Sequence, residues 1–149
     1  MRVTDAFLGE HGVFYALFEK LEEQLGPEAT APELAGAAQL LCDSLVSHAK
    51  LEEELLFRAL ERAGEGTEPL GAMHDEHVEI ERQLVLATRA LVSEDAARAI
   101  AEAIELAREH FLKEEEILFP MAARLLPPAE LEALGARWSA ARGVRLVID

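Results

Sequence analysis

Two ten-residue segments of this chain are near copies, and each puts a histidine and a glutamate where a helix should be apolar. Residues 48–57 read HAKLEEELLF and residues 110–119 read HFLKEEEILF. Side chains four apart share one helical face. His48 therefore stands one turn from Glu52, and His110 one turn from Glu114. The rest of each stripe is hydrocarbon: Leu41, Leu45, Leu55, Leu56 and Ala59 around the first pair, and Ala103, Ala107, Ile117 and Leu118 around the second. An unpaired polar group in such a core costs ~1–3 kcal/mol, more if charged. The fold must bring these groups to something that satisfies them.

The remaining histidines supply it. Upstream of each repeat stands a Glu-His dipeptide, Glu10-His11 and Glu76-His77, so the chain reads as two helix pairs related by a pseudo-twofold. His11, His48, His77 and His110 each lie about 14–17 residues from the turn joining the two helices of their pair. At about 1.5 Å per residue they fall within a few ångströms of one level. Inward side chains at one level of a bundle can share a metal. The fifth histidine, His74, is three residues before His77 and is also expected to face the interior. Glu53 and Glu115, about 100° further round their helices, are expected to be solvated.

The punctuation predicts five helices. Thr4 or Asp5 caps the first, which Gly26-Pro27 ends. Thr30-Ala31-Pro32-Glu33 has capping-box spacing and opens a long second helix, stopped by Gly64 and Gly66. Thr67 caps a third, to about Leu91, and Ser93 a fourth, to about Leu126, with Pro120 inside it as a source of kinking. A shorter fifth runs from Ala129 to about Ala141 and carries Trp138 as a core anchor, packed as a lid or flank. The tail from Val144 to Asp149 is left unplaced. Short connections between long helices predict an all-α, up-down-up-down four-helix bundle with a short additional C-terminal helix, a single domain over residues 1–149.

A net charge of −15 argues against nucleic acid as a partner, because phosphate binding needs a basic surface, and against anionic membranes. Cys42 is the only cysteine, which rules out an intrachain disulfide or a thiolate cluster, and it reads as a packing residue. No signal peptide is evident and no apolar run approaches the roughly 20 residues of a membrane span, so a cytoplasmic protein is expected. There is no Glu-x-x-His, which argues against a ferritin-like site, and no HExxH, which argues against a zinc protease.

Taken together, His11, His48-x-x-x-Glu52, His77 and His110-x-x-x-Glu114 resemble the H…HxxxE…H…HxxxE pattern of the hemerythrin-like (HHE cation-binding) family, over about residues 5–125. The resemblance implies a carboxylate-bridged, non-haem pair of iron ions that binds dioxygen or nitric oxide, or that senses or handles iron. Its ligands here would be His11, His48, Glu52, His77, His110 and Glu114, with His74 added. Two departures mark this chain. Hemerythrins proper carry a histidine four residues before the one at position 77, where Met73 stands. Their second bridging carboxylate is an aspartate five residues after its histidine, where this chain has Glu114 after four.

Nitrogen and carboxylate ligands without thiolate suit octahedral iron or manganese better than tetrahedral zinc. With five imidazoles, two bridging glutamates and a bridging oxygen, one coordination position stays open, as an oxygen carrier requires. Without His74 two stay open, and peroxide chemistry becomes easier. The alternative function is therefore an enzyme that breaks down peroxide or nitric oxide. Tyr15, one turn after His11, is either a core aromatic or a phenol near the metals. Glu81, one turn after His77, is expected to lie outside the ligand shell, and Phe14, Phe57, Phe111 and Phe119 to form hydrophobic wall.

Overall fold

A computed structural model describes residues 1–64 and 68–145, and among these every regular element is helical. Helix α1 spans Val3–Gln24. Helix α2 covers residues 31–63, as Ala31–Glu52, a π-helical turn Glu53–Phe57, and Arg58–Ala63. Helix α3 spans Glu68–Arg89. Helix α4 covers residues 93–125, as Ser93–Lys113, a second π-turn Glu114–Leu118, and Phe119–Leu125. Helix α5 spans Pro128–Arg142. The first four form the expected up-down-up-down bundle, and α5 flanks it along α1. No described helix is long and apolar enough to cross a membrane.

The Thr30 capping box is present: Thr30 N donates to Glu33 Oε2 (2.9 Å) and Glu33 N to Thr30 Oγ1 (3.4 Å). Two other caps differ from expectation. Helix α1 starts earlier, with Arg2 as N-cap and the Asp5 carboxylate accepting from Arg2 N at 3.0 Å. Helix α4 has Val92 as N-cap, with Ser93 already helical and no side-chain cap. Gly64 closes α2 in the left-handed region, φ 77°, which glycine enters without a Cβ penalty. The expectations at Gly66 and Thr67, and for residues 146–149 of the tail, lie outside the described residues.

The π-turns replace the simple proline kink. Phe119 N donates to Glu114 O and Arg58 N to Glu53 O, both i→i+5. Proline follows the second turn, whereas Arg58 follows the first directly, so the wider turn belongs to the repeated sequence and does not depend on Pro120. Such single turns insert a residue into the helical register and recur at functional sites.

The core is divided in two. One apolar cluster, around Phe14, Phe18, Leu41, Leu84, Ile100 and Ile104, fills the end of the bundle that holds the α1–α2 and α3–α4 connections. The other, around Phe7, Leu56, Leu60, Leu118, Leu131 and Leu134, fills the opposite end and includes the inner face of α5. The histidines and glutamates of the repeat occupy the layer between. Gly135 lets α5 close on the chain start: a Cβ there would lie 2.2 Å from Met1 O.

Candidate metal centre

Six side chains converge in that layer. His11, His48, His110, Glu52 and Glu114 are buried, and His77 has only 8% of its side chain exposed. Glu114 is central. Its oxygens lie 3.0 Å from His11 Nε2, 2.6 Å from His110 Nε2 and 3.7 Å from His77 Nε2. His77 Nε2 is 2.8 Å from His110 Nε2 and 3.8 Å from Glu52. Two overlapping donor sets result, Glu52–His77–His110–Glu114 and His11–His48–Glu114, with Glu114 common to both.

Each of these four imidazoles is held from behind. The Nδ1 atoms of His11, His48, His77 and His110 pair with Glu115 (2.9 Å), Glu10 (2.6 Å), Glu53 (2.8 Å) and Glu76 (2.8 Å). A carboxylate on Nδ1 fixes the tautomer that leaves Nε2 with its lone pair inward, which orients a ring for metal ligation. The four pairings obey the pseudo-twofold: the residue before His11 serves His48 as the residue before His77 serves His110, and the residues after Glu114 and Glu52 serve His11 and His77. Glu53 and Glu115 are thus half-buried and bonded, contrary to the expectation that they are solvated. Both are the first or second residue of a π-turn, where a 3.6-residue register no longer applies. The roles of Glu10 and Glu76 were also unassigned from sequence, although the repeated Glu-His dipeptides carried the signal.

Glu10 is the most firmly held of the four. Its oxygens also accept from Trp138 Nε1 (2.9 Å) and from Arg142 Nε (2.6 Å) and Nη2 (3.1 Å), both on α5. Burial pushes the Glu10 carboxyl up, but the bonds from His48 and Arg142 outweigh it and bring it down to about 2. Trp138 packs half-buried against the second apolar cluster, as expected, and is a donor to Glu10 as well. Tyr15 donates to Glu115 (2.9 Å) instead of facing the ligand layer, and burial together with that carboxylate raises its phenol to about 12. Aromatic faces close the layer: Phe111 stacks on His11 at 3.9 Å between centroids, Phe119 on His11 at 5.5 Å and Phe57 on His77 at 5.8 Å.

His74 is not brought to this layer, and the expectation that it faces inward is corrected. Its side chain is 56% exposed, with Nδ1 on the same Glu53 oxygen that His77 uses (2.9 Å), while Met73 takes the inward position at 3% exposure. With His77 fixed inward, the residue four before it shares its face more closely than the residue three before it.

Without a cation the layer is electrostatically poor. With the ring protons on Nδ1, the close Nε2 contacts to Glu114 carry no hydrogen, and both oxygens of Glu52 and of Glu114, with Nε2 of His11 and His48, are buried without a hydrogen-bond partner. Burial, and Glu114 beside it, push the Glu52 carboxyl well above the usual range. Burial acts upward on Glu114 too, but the neighbouring imidazoles of His11, His110 and His77 hold it well below that range. Burial lowers His48 despite Glu10, whereas Glu114 and Glu76 overcome burial and raise His110. Orphaned carboxylate oxygens facing imidazole lone pairs fit a divalent or trivalent cation, which would satisfy them together.

A cavity of about 160 Å3 opens between α2 and α3 and ends on His48, His77 and His110. Leu45, Ala49, Ile80 and Leu84 line it, with Glu81 near its mouth and Cys42, buried and free, in its wall.

The family model described as Hemerythrin HHE cation binding domain matches residues 2–122, which takes in all six converging side chains. No curated protein and no solved structure matches the chain.

Proposed function

We propose that this chain, which belongs to the hemerythrin HHE cation-binding domain family, holds two iron ions and uses them to bind dioxygen or nitric oxide. The observation that carries this is the convergence of four Nε2 atoms and two orphaned carboxylates in a layer sealed above and below by hydrocarbon. His11 and His48 would hold one ion, His77, His110 and Glu52 the other, with Glu114 common to both. The absence of thiolate favours iron over structural zinc. Iron there supplies a redox-active Lewis acid with positions open to an exogenous ligand.

The protein's own residues set the terms. The Nδ1 carboxylates orient the rings and raise their basicity. The apolar clusters exclude bulk water, and the cavity between α2 and α3 admits small neutral molecules. A second function is favoured by the outward turn of His74. Four imidazoles leave two coordination positions open where five would leave one, so breakdown of peroxide or nitric oxide gains on reversible oxygen storage.

The test is anaerobic mixing of reduced, iron-loaded protein with nitric oxide, followed optically, alongside peroxide consumption. A stoichiometric spectral change is expected, identical in His74→Ala. Peroxide consumed well beyond one equivalent per chain would establish turnover. No response of the iron-loaded protein to either molecule would overturn the proposal.

A further inference from the structure

The two halves of the bundle match at the ligands but not around them. Superposing the repeat by sequence pairs His11 with His77 and His48 with His110. The same offsets pair Phe14 with Ile80, Tyr15 with Glu81, Phe18 with Leu84 and Ala49 with Phe111. Four aromatic side chains on the α1/α4 side thus correspond to two aliphatics, a carboxylate and an alanine on the α2/α3 side.

The aromatics fill their side. Phe111 stacks on His11 with 10° between the rings, Phe14 and Phe18 pack against Phe111, and Tyr15 spans to Glu115. On the other side Ala49 stops at its Cβ, Glu81 is exposed, and the cavity of about 160 Å3 remains. Leu45, paired with Ala107, returns some bulk to that side without closing it. A dry apolar cavity of about 150 Å3 is large enough to take xenon or benzene, well above what a diatomic needs.

We infer that, among the described residues, the cavity beside Ala49 is the ligand site of the centre and its entrance, opening on the α2/α3 side, for neutral apolar molecules up to about the size of benzene. This rests on the proposed metal centre for its purpose, but the cavity can be tested without metal. Ions are disfavoured by the hydrocarbon that makes up most of its inner lining, while Lys50, Glu53, His74 and Glu81 border it as well. Because it meets His48 from one ligand set and His77 and His110 from the other, a molecule seated in it faces both metal positions.

The experiment uses the full chain and xenon. Methyl resonances of Leu45, Ile80 and Leu84 should shift saturably with xenon in the metal-free protein, while those of Ile100 and Ile104 should not. Ala49→Phe copies the other half and should abolish the shifts while leaving metal stoichiometry unchanged. In the iron-loaded variant, nitric oxide should enter roughly tenfold more slowly or worse, since entry then waits on motion of packed side chains. Ile80→Phe provides the same test should Ala49→Phe fail to fold. Absence of xenon shifts in the wild type, or unchanged nitric oxide entry in a folded variant that has lost them, would overturn the inference. Xenon binding in a protein that takes up no iron would instead overturn the proposed function and leave the cavity standing.

Discussion

Glu114→Ala is expected to abolish retention of both metal ions while the bundle stays helical. Glu114 is the one side chain common to both donor sets, within 3.0 Å of His11 Nε2 and 2.6 Å of His110 Nε2. Its removal takes a ligand from each ion and leaves two imidazoles apiece, of which only the second pair keeps Glu52 close by. The fold should survive because the two apolar clusters, which supply the packing, lie on either side of the layer and do not include Glu114. The loss of a buried charge offsets part of the cost of the space left behind. Metal content after dialysis, measured beside circular dichroism, decides this. Two ions retained at wild-type affinity would remove Glu114 from the ligand set.

Chelation should lower the melting temperature of the wild type by roughly 5–10 °C. A ligand that binds only the folded state stabilises it by about 2.7 kcal/mol when present at a hundred times its dissociation constant. For a domain of this size each kcal/mol shifts the midpoint by about 2–4 °C. The direction follows from the orphaned oxygens of Glu52 and Glu114 and from the raised Glu52 carboxyl, all of which a cation relieves. Scanning calorimetry with and without chelator measures the shift, and Glu114→Ala should melt at one temperature in both conditions. An unchanged wild-type midpoint would mean that the layer is stable without metal.

The sequence was most informative where chemistry and periodicity conflict. Polar residues at His48, Glu52, His110 and Glu114 interrupt apolar stripes, and the interruption marked both the layer and the bundle that must enclose it. The same periodicity failed one residue later. A uniform helix turns Glu53 and Glu115 outward, and residue type alone does not distinguish the π-turns that bring them onto His77 and His11 from ordinary helix. His74 shows a related limit: a three-residue spacing allows a shared face, but the buried side chain of Met73 decides which face is inward, and that is a property of packing. Trp138 and Arg142 reach Glu10 from more than a hundred positions away, a contact no local pattern encodes. The caps at Arg2 and Val92 carry no sequence signal because neither is a usual capping residue; Asp5 serves the first from within the helix.

The claim on which the rest depends is that the four inward-facing histidines and two glutamates hold two ions. Anaerobic titration of metal-free protein with ferrous iron, read by bound iron per chain, tests it most directly. Saturation at two equivalents is predicted for the wild type and for His74→Ala, falling to one or none for His48→Ala. Saturation at a single equivalent in the wild type, or two equivalents bound unchanged in His48→Ala, would contradict it.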